Sequence, residues 1–201
     1  MKIRSLSVLA LVLAATAFAH AAGPLVGQPA PDFTLPDAKG ATHSLSDYKG
    51  KTVVLEWFNP GCPFVHKHYD SGSMQRLQQQ ATKDGVVWLS ICSSAPGKEG
   101  YIAPKDAPAV EQSVGMKSTA LLLDPDGKVG RMYEARTTPG MYVINADGVL
   151  VYKGAIDDRP TPDPASLQGA KNYVAAALAA LKVGQPISPS ETKSYGCSVK
   201  Y

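Results

Sequence analysis

The chain has 201 residues, 44% of them hydrophobic, and a formal charge of +3 at neutral pH. That is about one domain's worth of chain with enough apolar content to bury a core, which excludes dependence on disulfide staples. Lys2 and Arg4 carry two of the three net charges, so the rest of the chain shows no basic footprint for nucleic acid; three cysteines are too few for a disulfide framework, and an odd number leaves at least one thiol reactive or shared.

The N-terminus joins Lys2 and Arg4 to an apolar run, Val8 to Ala15, and then to small residues at Ala17, Ala19 and Ala21. This is the three-part pattern of a secretory signal peptide, too short for a membrane anchor. Small-x-small sites place the mature start at His20 or Ala22, and no later segment is long and apolar enough to span a bilayer. Residues 1–21 are therefore read as a signal peptide, 22–184 as one domain and 185–201 as a C-terminal tail. A periplasmic or secreted, oxidising location is expected, with no membrane anchor after cleavage.

Phe33 and Leu35 are the apolar beats of a leading loop with a short strand, and Thr42 to Ser44 reads as another between turns. The dense β-branched and aromatic run Thr52 to Phe58 predicts a strand buried on both faces. Pro63 to Lys83 then predicts one helix, weakest around Ser71 to Ser73. Val86 to Cys92 is a second buried strand, followed by a loop over Ser94 to Lys105, a short helix from Pro108 to Val114 and a third strand from Thr119 to Leu123. After a helix near Lys128 to Glu134, Met141 to Ile144 and Val149 to Lys153 flank Asn145-Ala146-Asp147-Gly148, a hairpin signal. Asp163 as N-cap and Pro164 at the first helical position predict a last helix with apolar beats at Leu167, Ala170, Val174, Leu178 and Leu181, closed by Gly184. The order is α/β: parallel βαβα, then a β-hairpin edge and a helix.

Cys62 follows a buried strand and opens a helix, where unpaired backbone N–H groups and the helix dipole favour a thiolate. Thiolates attack disulfides and peroxides and bind metals. Thr138-Pro139 precedes the hairpin, where a cis proline would hold backbone against a neighbouring site. Cys92, at the end of the second buried strand, is expected to pack in the core. His66, four residues after Cys62, offers a Cys/His metal pair; the alternative, which we prefer, is a solvated helix face carrying Lys67 and two exposed histidines. No Gly-rich phosphate loop stands at a strand–helix junction, so no nucleotide cofactor is expected.

Val53 to Phe58 with Asn59-Pro60-Gly61-Cys62-Pro63, and Thr137-Thr138-Pro139-Gly140-Met141-Tyr142-Val143-Ile144-Asn145-Ala146-Asp147-Gly148, resemble the exported thioredoxin-like and redoxin proteins, the group that includes the alkyl hydroperoxide reductase and thiol-specific antioxidant type. The resemblance runs from about Gly27 to Asp157. It implies a thioredoxin-like fold with a central mixed sheet, and thiol redox chemistry at Cys62 beside Thr138 and Pro139. Two positions depart from the family patterns: Val65 stands where thioredoxins carry a second cysteine, and Asn59 where peroxiredoxins place Thr or Ser, leaving Arg136 as the nearby candidate for an assisting arginine.

Cys197, on a tail free to reach Cys62, is the candidate resolving cysteine. The leading expectation is a thiol oxidoreductase or peroxidase acting on a peroxide or disulfide, with electrons from an external thiol protein. A metal carrier using Cys62 and His66, and a redox-silent interaction domain, are the other two.

Overall fold

The computed structural model describes residues 23–201, so the expected signal peptide lies outside the described residues. Strands β1 (Thr34–Pro36) and β2 (Thr42–Ser44) form a small antiparallel pair. The main sheet is built from β3 (Val53–Trp57), β4 (Val87–Cys92), β5 (Ala120–Leu123), β7 (Gly140–Ile144) and β8 (Leu150–Gly154), with β6 (Thr137–Thr138) just ahead of β7. Its order is β5-β4-β3-β7-β8; β3, β4 and β5 run parallel, while β7 is antiparallel to β3 and to β8. This is the expected mixed sheet of a thioredoxin-like fold.

Successive residues of a strand point to opposite faces, so the sheet divides the core in two. Val54, Phe58, Trp88, Leu121, Met141 and Val143 face one side. There they meet α1 (Pro63–Asp70), α2 (Ser73–Lys83), α3 (Ala107–Ser113) and α5 (Tyr173–Lys182). Val53, Leu55, Trp57, Leu89, Ile91, Leu122 and Ile144 face the other side, against Phe33, Leu35 and Val129 of α4 (Lys128–Met132).

Three expectations change. The single helix expected over Pro63 to Lys83 is two, because Gly72 takes a left-handed φ of 71° and turns the chain between α1 and α2. The last helix does not begin at Asp163: the Asp163 carboxylate caps only a short 3-10 turn at Pro164–Leu167, and α5 starts at Tyr173 under an Asn172 cap that accepts from the Ala175 N–H at 2.8 Å. Leu167 and Ala170 therefore precede the helix. The tail is laid down across the molecule: Cys197–Ser198 forms β9, antiparallel to Thr137–Thr138. Further bonds run from Thr192 N–H to the Lys153 carbonyl, Val199 N–H to the Arg136 carbonyl and Ala95 N–H to the Lys200 carbonyl.

Candidate active site

The site assembles at the carboxyl end of β3, where the chain leaves the sheet and turns into α1. Asn59 shapes that turn. Its side chain is buried, its Oδ1 accepts the Gly61 N–H at 2.7 Å, and its Nδ2 donates to the Glu99 carbonyl at 3.3 Å. Gly100, at φ 75°, lies so close that a Cβ there would fall 2.0 Å from Asn59 Oδ1. Cys62 is the N-cap of α1 and Pro63 its first residue, a position where the missing proline N–H costs nothing.

The Cys62 thiol is fully buried and donates to the Thr138 carbonyl at 3.0 Å. Thr138 is buried too, and the peptide it makes with Pro139 is cis. The antiparallel pairing of Thr138 with Cys197 then brings the second cysteine alongside the residue that the Cys62 thiol meets. Gly196 makes that approach possible: at φ 132°, a Cβ there would sit 2.0 Å from the Thr138 oxygen. Cys197 is half-buried, and its thiol is pushed up to about 11, first by burial and then by the neighbouring Cys62 thiol. Among the described residues, then, Cys62, Thr138, Pro139 and Cys197 form one cluster, with both thiols free.

The other candidates are placed differently. The Arg136 side chain is exposed, and the residue serves the site through its carbonyl, which receives the Val199 N–H at 3.0 Å. Cys92 is in the core: its thiol donates to the Gly100 carbonyl at 3.3 Å, and burial raises its pKa. The His66 imidazole is engaged at both nitrogens, Nε2 with the Pro60 carbonyl at 2.8 Å and Nδ1 with Asp70 at 3.2 Å, so it braces the turn before Cys62. Among the described residues no group of three or more His, Cys, Asp or Glu side chains is placed to hold a metal ion.

The solvated helix face expected around Lys67 is instead largely interior. Lys67 and His68 are both buried, with Lys67 paired to Asp157 at 3.2 Å and His68 3.6 Å from the same carboxylate. The partners lie about ninety residues away in sequence, where no local pattern points to them.

Glu56 is another ionisable residue in the interior. It faces the α2 side of β3, and accepts from Trp88 Nε1 at 2.8 Å, Ser90 Oγ at 2.9 Å, Gln78 Nε2 at 3.0 Å and the Tyr69 hydroxyl at 3.0 Å. Burial raises its carboxyl above the usual range, against the lowering effect of these bonds. Its signal was present in the sequence, a lone acid inside an unbroken apolar strand.

A thiol at a helix start against a buried carbonyl, with a second thiol on the strand paired to that carbonyl's residue, is suited to making and breaking a disulfide. A family model described as the AhpC/TSA family matches residues 26–153. The thiol-disulfide oxidoreductase ResA of Geobacillus kaustophilus is 31% identical over 125 residues, 56% of this chain and 71% of that protein. A relative named as a peroxiredoxin, bcp of Coxiella burnetii, is 29% identical across 62% of this chain and 84% of its own length. Among solved structures, an uncharacterized conserved protein from Geobacillus kaustophilus superimposes with a TM-score of 0.75 at 27% identity, covering 88% of this chain and 92% of that one.

Proposed function

Because this chain belongs to the AhpC/TSA family, we propose that it is a two-cysteine thiol oxidoreductase in which Cys62 attacks the substrate and Cys197 resolves the product. The observation that carries this reading is the pairing of Thr138 with Cys197, which sets the second thiol beside Cys62 across most of the chain's length.

Toward a disulfide, the Cys62 thiolate attacks one substrate sulfur, forms a mixed disulfide and expels the other sulfur as a thiolate. Cys197 then loses its proton and attacks Cys62, releasing the second substrate thiolate and leaving a Cys62–Cys197 disulfide. Two electrons have passed to the substrate, and an external thiol protein returns them. Toward a peroxide, Cys62 would take one oxygen as a sulfenic acid with release of an alcohol or water, and Cys197 would condense with it, releasing water.

The disulfide reaction is favoured by the side chains around Cys62. Asn59 is turned to Gly61 and Glu99, the Arg136 residue is exposed, and the Cys62 thiol is bonded to the Thr138 carbonyl instead, so neither side chain is set against the sulfur to orient a peroxide. Arg136 is accordingly a backbone anchor of the tail in this reading. The N-terminal pattern supports action in the periplasm or outside the cell.

The test is peptide mapping under non-reducing conditions after one equivalent of oxidised glutathione or hydrogen peroxide, alongside turnover of both. A Cys62–Cys197 linkage is expected, with faster reaction toward the disulfide and a loss of at least about a thousandfold in Cys62→Ser, removal of a nucleophile having cost up to about a millionfold. A Cys62→Ser protein that keeps wild-type rates ends the proposal.

A further inference from the structure

One turn beyond Cys62, helix α1 carries a charge with no access to water. The Lys67 side chain has 0% exposure; its Nζ lies 3.2 Å from Asp157 Oδ2, and donates to the Arg159 carbonyl at 2.6 Å and to the Tyr195 hydroxyl at 3.2 Å. Tyr195 in turn donates to Asp157 Oδ1, and its ring packs on Phe64 of α1 at 5.8 Å. The Lys67 ammonium stands 5.3 Å from the centre of that ring.

Stability alone gives little reason for such a group. Taking a lysine and an aspartate out of water costs several kcal/mol each, and an apolar trio of similar volume would serve the core as well or better. What the trio does is join three segments that sequence keeps apart: the helix that carries Cys62, the chain after β8, and the tail that carries Cys197. Lys67 lies five residues along the helix from Cys62, a rise of about 7.5 Å. Tyr195 lies two residues before Cys197, with a reach of at most about 7 Å. Between Tyr195 and Cys197 stands only Gly196, whose backbone is free to swing unless it is held on both sides.

We propose that Lys67, Asp157 and Tyr195 form a latch that holds Cys197 against Cys62, making Tyr195 and Asp157 positioning residues for the resolving step. The inference rests on the reading of Cys62 and Cys197 as a redox pair. The latch acts by raising the effective concentration of one thiol at the other, which is a property of the pair's equilibrium and not of the fold as a whole.

The experiment equilibrates the folded protein in glutathione buffers, where two protein thiols and one oxidised glutathione give the Cys62–Cys197 disulfide and two reduced glutathiones. Tyr195→Phe keeps the ring on Phe64 and the Lys67–Asp157 pair, and removes only the hydroxyl. It is expected to lower that equilibrium constant about tenfold, a rise of about 30 mV in reduction potential, and to speed alkylation of Cys62 in the reduced protein. Asp157→Asn is expected to do at least as much; should it fail to fold because Lys67 is left unpaired, Tyr195→Phe still decides the matter. If the wild type forms the disulfide and Tyr195→Phe stays within twofold of it, the latch is refuted and the redox pair stands. If the wild type forms no Cys62–Cys197 disulfide under any ratio, the redox pair itself is wrong and the latch goes with it.

Discussion

His68 is neutral at ordinary pH because of where it sits. Burial, and secondarily the Lys67 charge, bring its pKa down to about 4, against the pull of Asp157. In the unfolded chain it would titrate near 6.5, so between pH 6.5 and about 4 the unfolded state binds the extra proton. Its contribution to stability is therefore complete above pH 6.5 and lost as the pH falls through that window, by up to on the order of 3 kcal/mol. Urea unfolding at pH 7.5 and pH 4.5 should show His68→Gln losing less stability between the two than the wild type does; equal losses would mean the imidazole is not the group responsible. The residue scale is also where the sequence is least explicit. Cys62 and Thr138-Pro139 announce themselves by their neighbours along the chain, whereas Lys67 and His68 read as surface because their partner Asp157 comes from a distant loop.

The ladder between Thr137–Thr138 and Cys197–Ser198 is only two residues long, and the element depends on Gly196. Gly196→Ala would put a Cβ into the Thr138 carbonyl at a φ of 132° that alanine avoids. The expected result is a folded domain with a displaced tail: core unfolding changed by less than about 1 kcal/mol, in the range of surface substitutions, and oxidation to the Cys62–Cys197 disulfide slowed at least tenfold, read by quenched alkylation and mass spectrometry. Oxidation at the wild-type rate would mean the close approach is dispensable. Main-sheet strands were legible to within a residue or so, because an apolar run buried on both faces has few other uses. Helix ends were harder. Asp163-Pro164 is a sound cap signal satisfied by a single 3-10 turn, and nothing in it tells that Gly169, at φ 69°, diverts the chain before Asn172 caps the real helix.

Across the whole molecule, the fold class follows from the order of strands and helices, and the place of Cys62 follows from the fold. The place of Cys197 does not, since a polar, proline-rich tail has no periodicity that would reveal a docked strand. That docking has a thermodynamic consequence. A bond between Cys62 and Cys197 closes a loop of about 135 residues, most of the domain, and in the unfolded chain such a closure removes conformational freedom worth on the order of 4–5 kcal/mol. The oxidised protein should accordingly unfold at a higher urea midpoint than the reduced one, and coincident midpoints would show that the link strains the native state by as much as it restrains the unfolded one. Linkage makes the relation mutual: whatever the bond adds to the fold, the fold adds to the bond. A substitution that loosens β4 or α5 equally in the two redox states leaves the potential of the folded protein where it was, whereas one that moves the docked tail changes it, so the seat of the tail, and not the core at large, acts as the dial on the electron affinity of the two sulfurs.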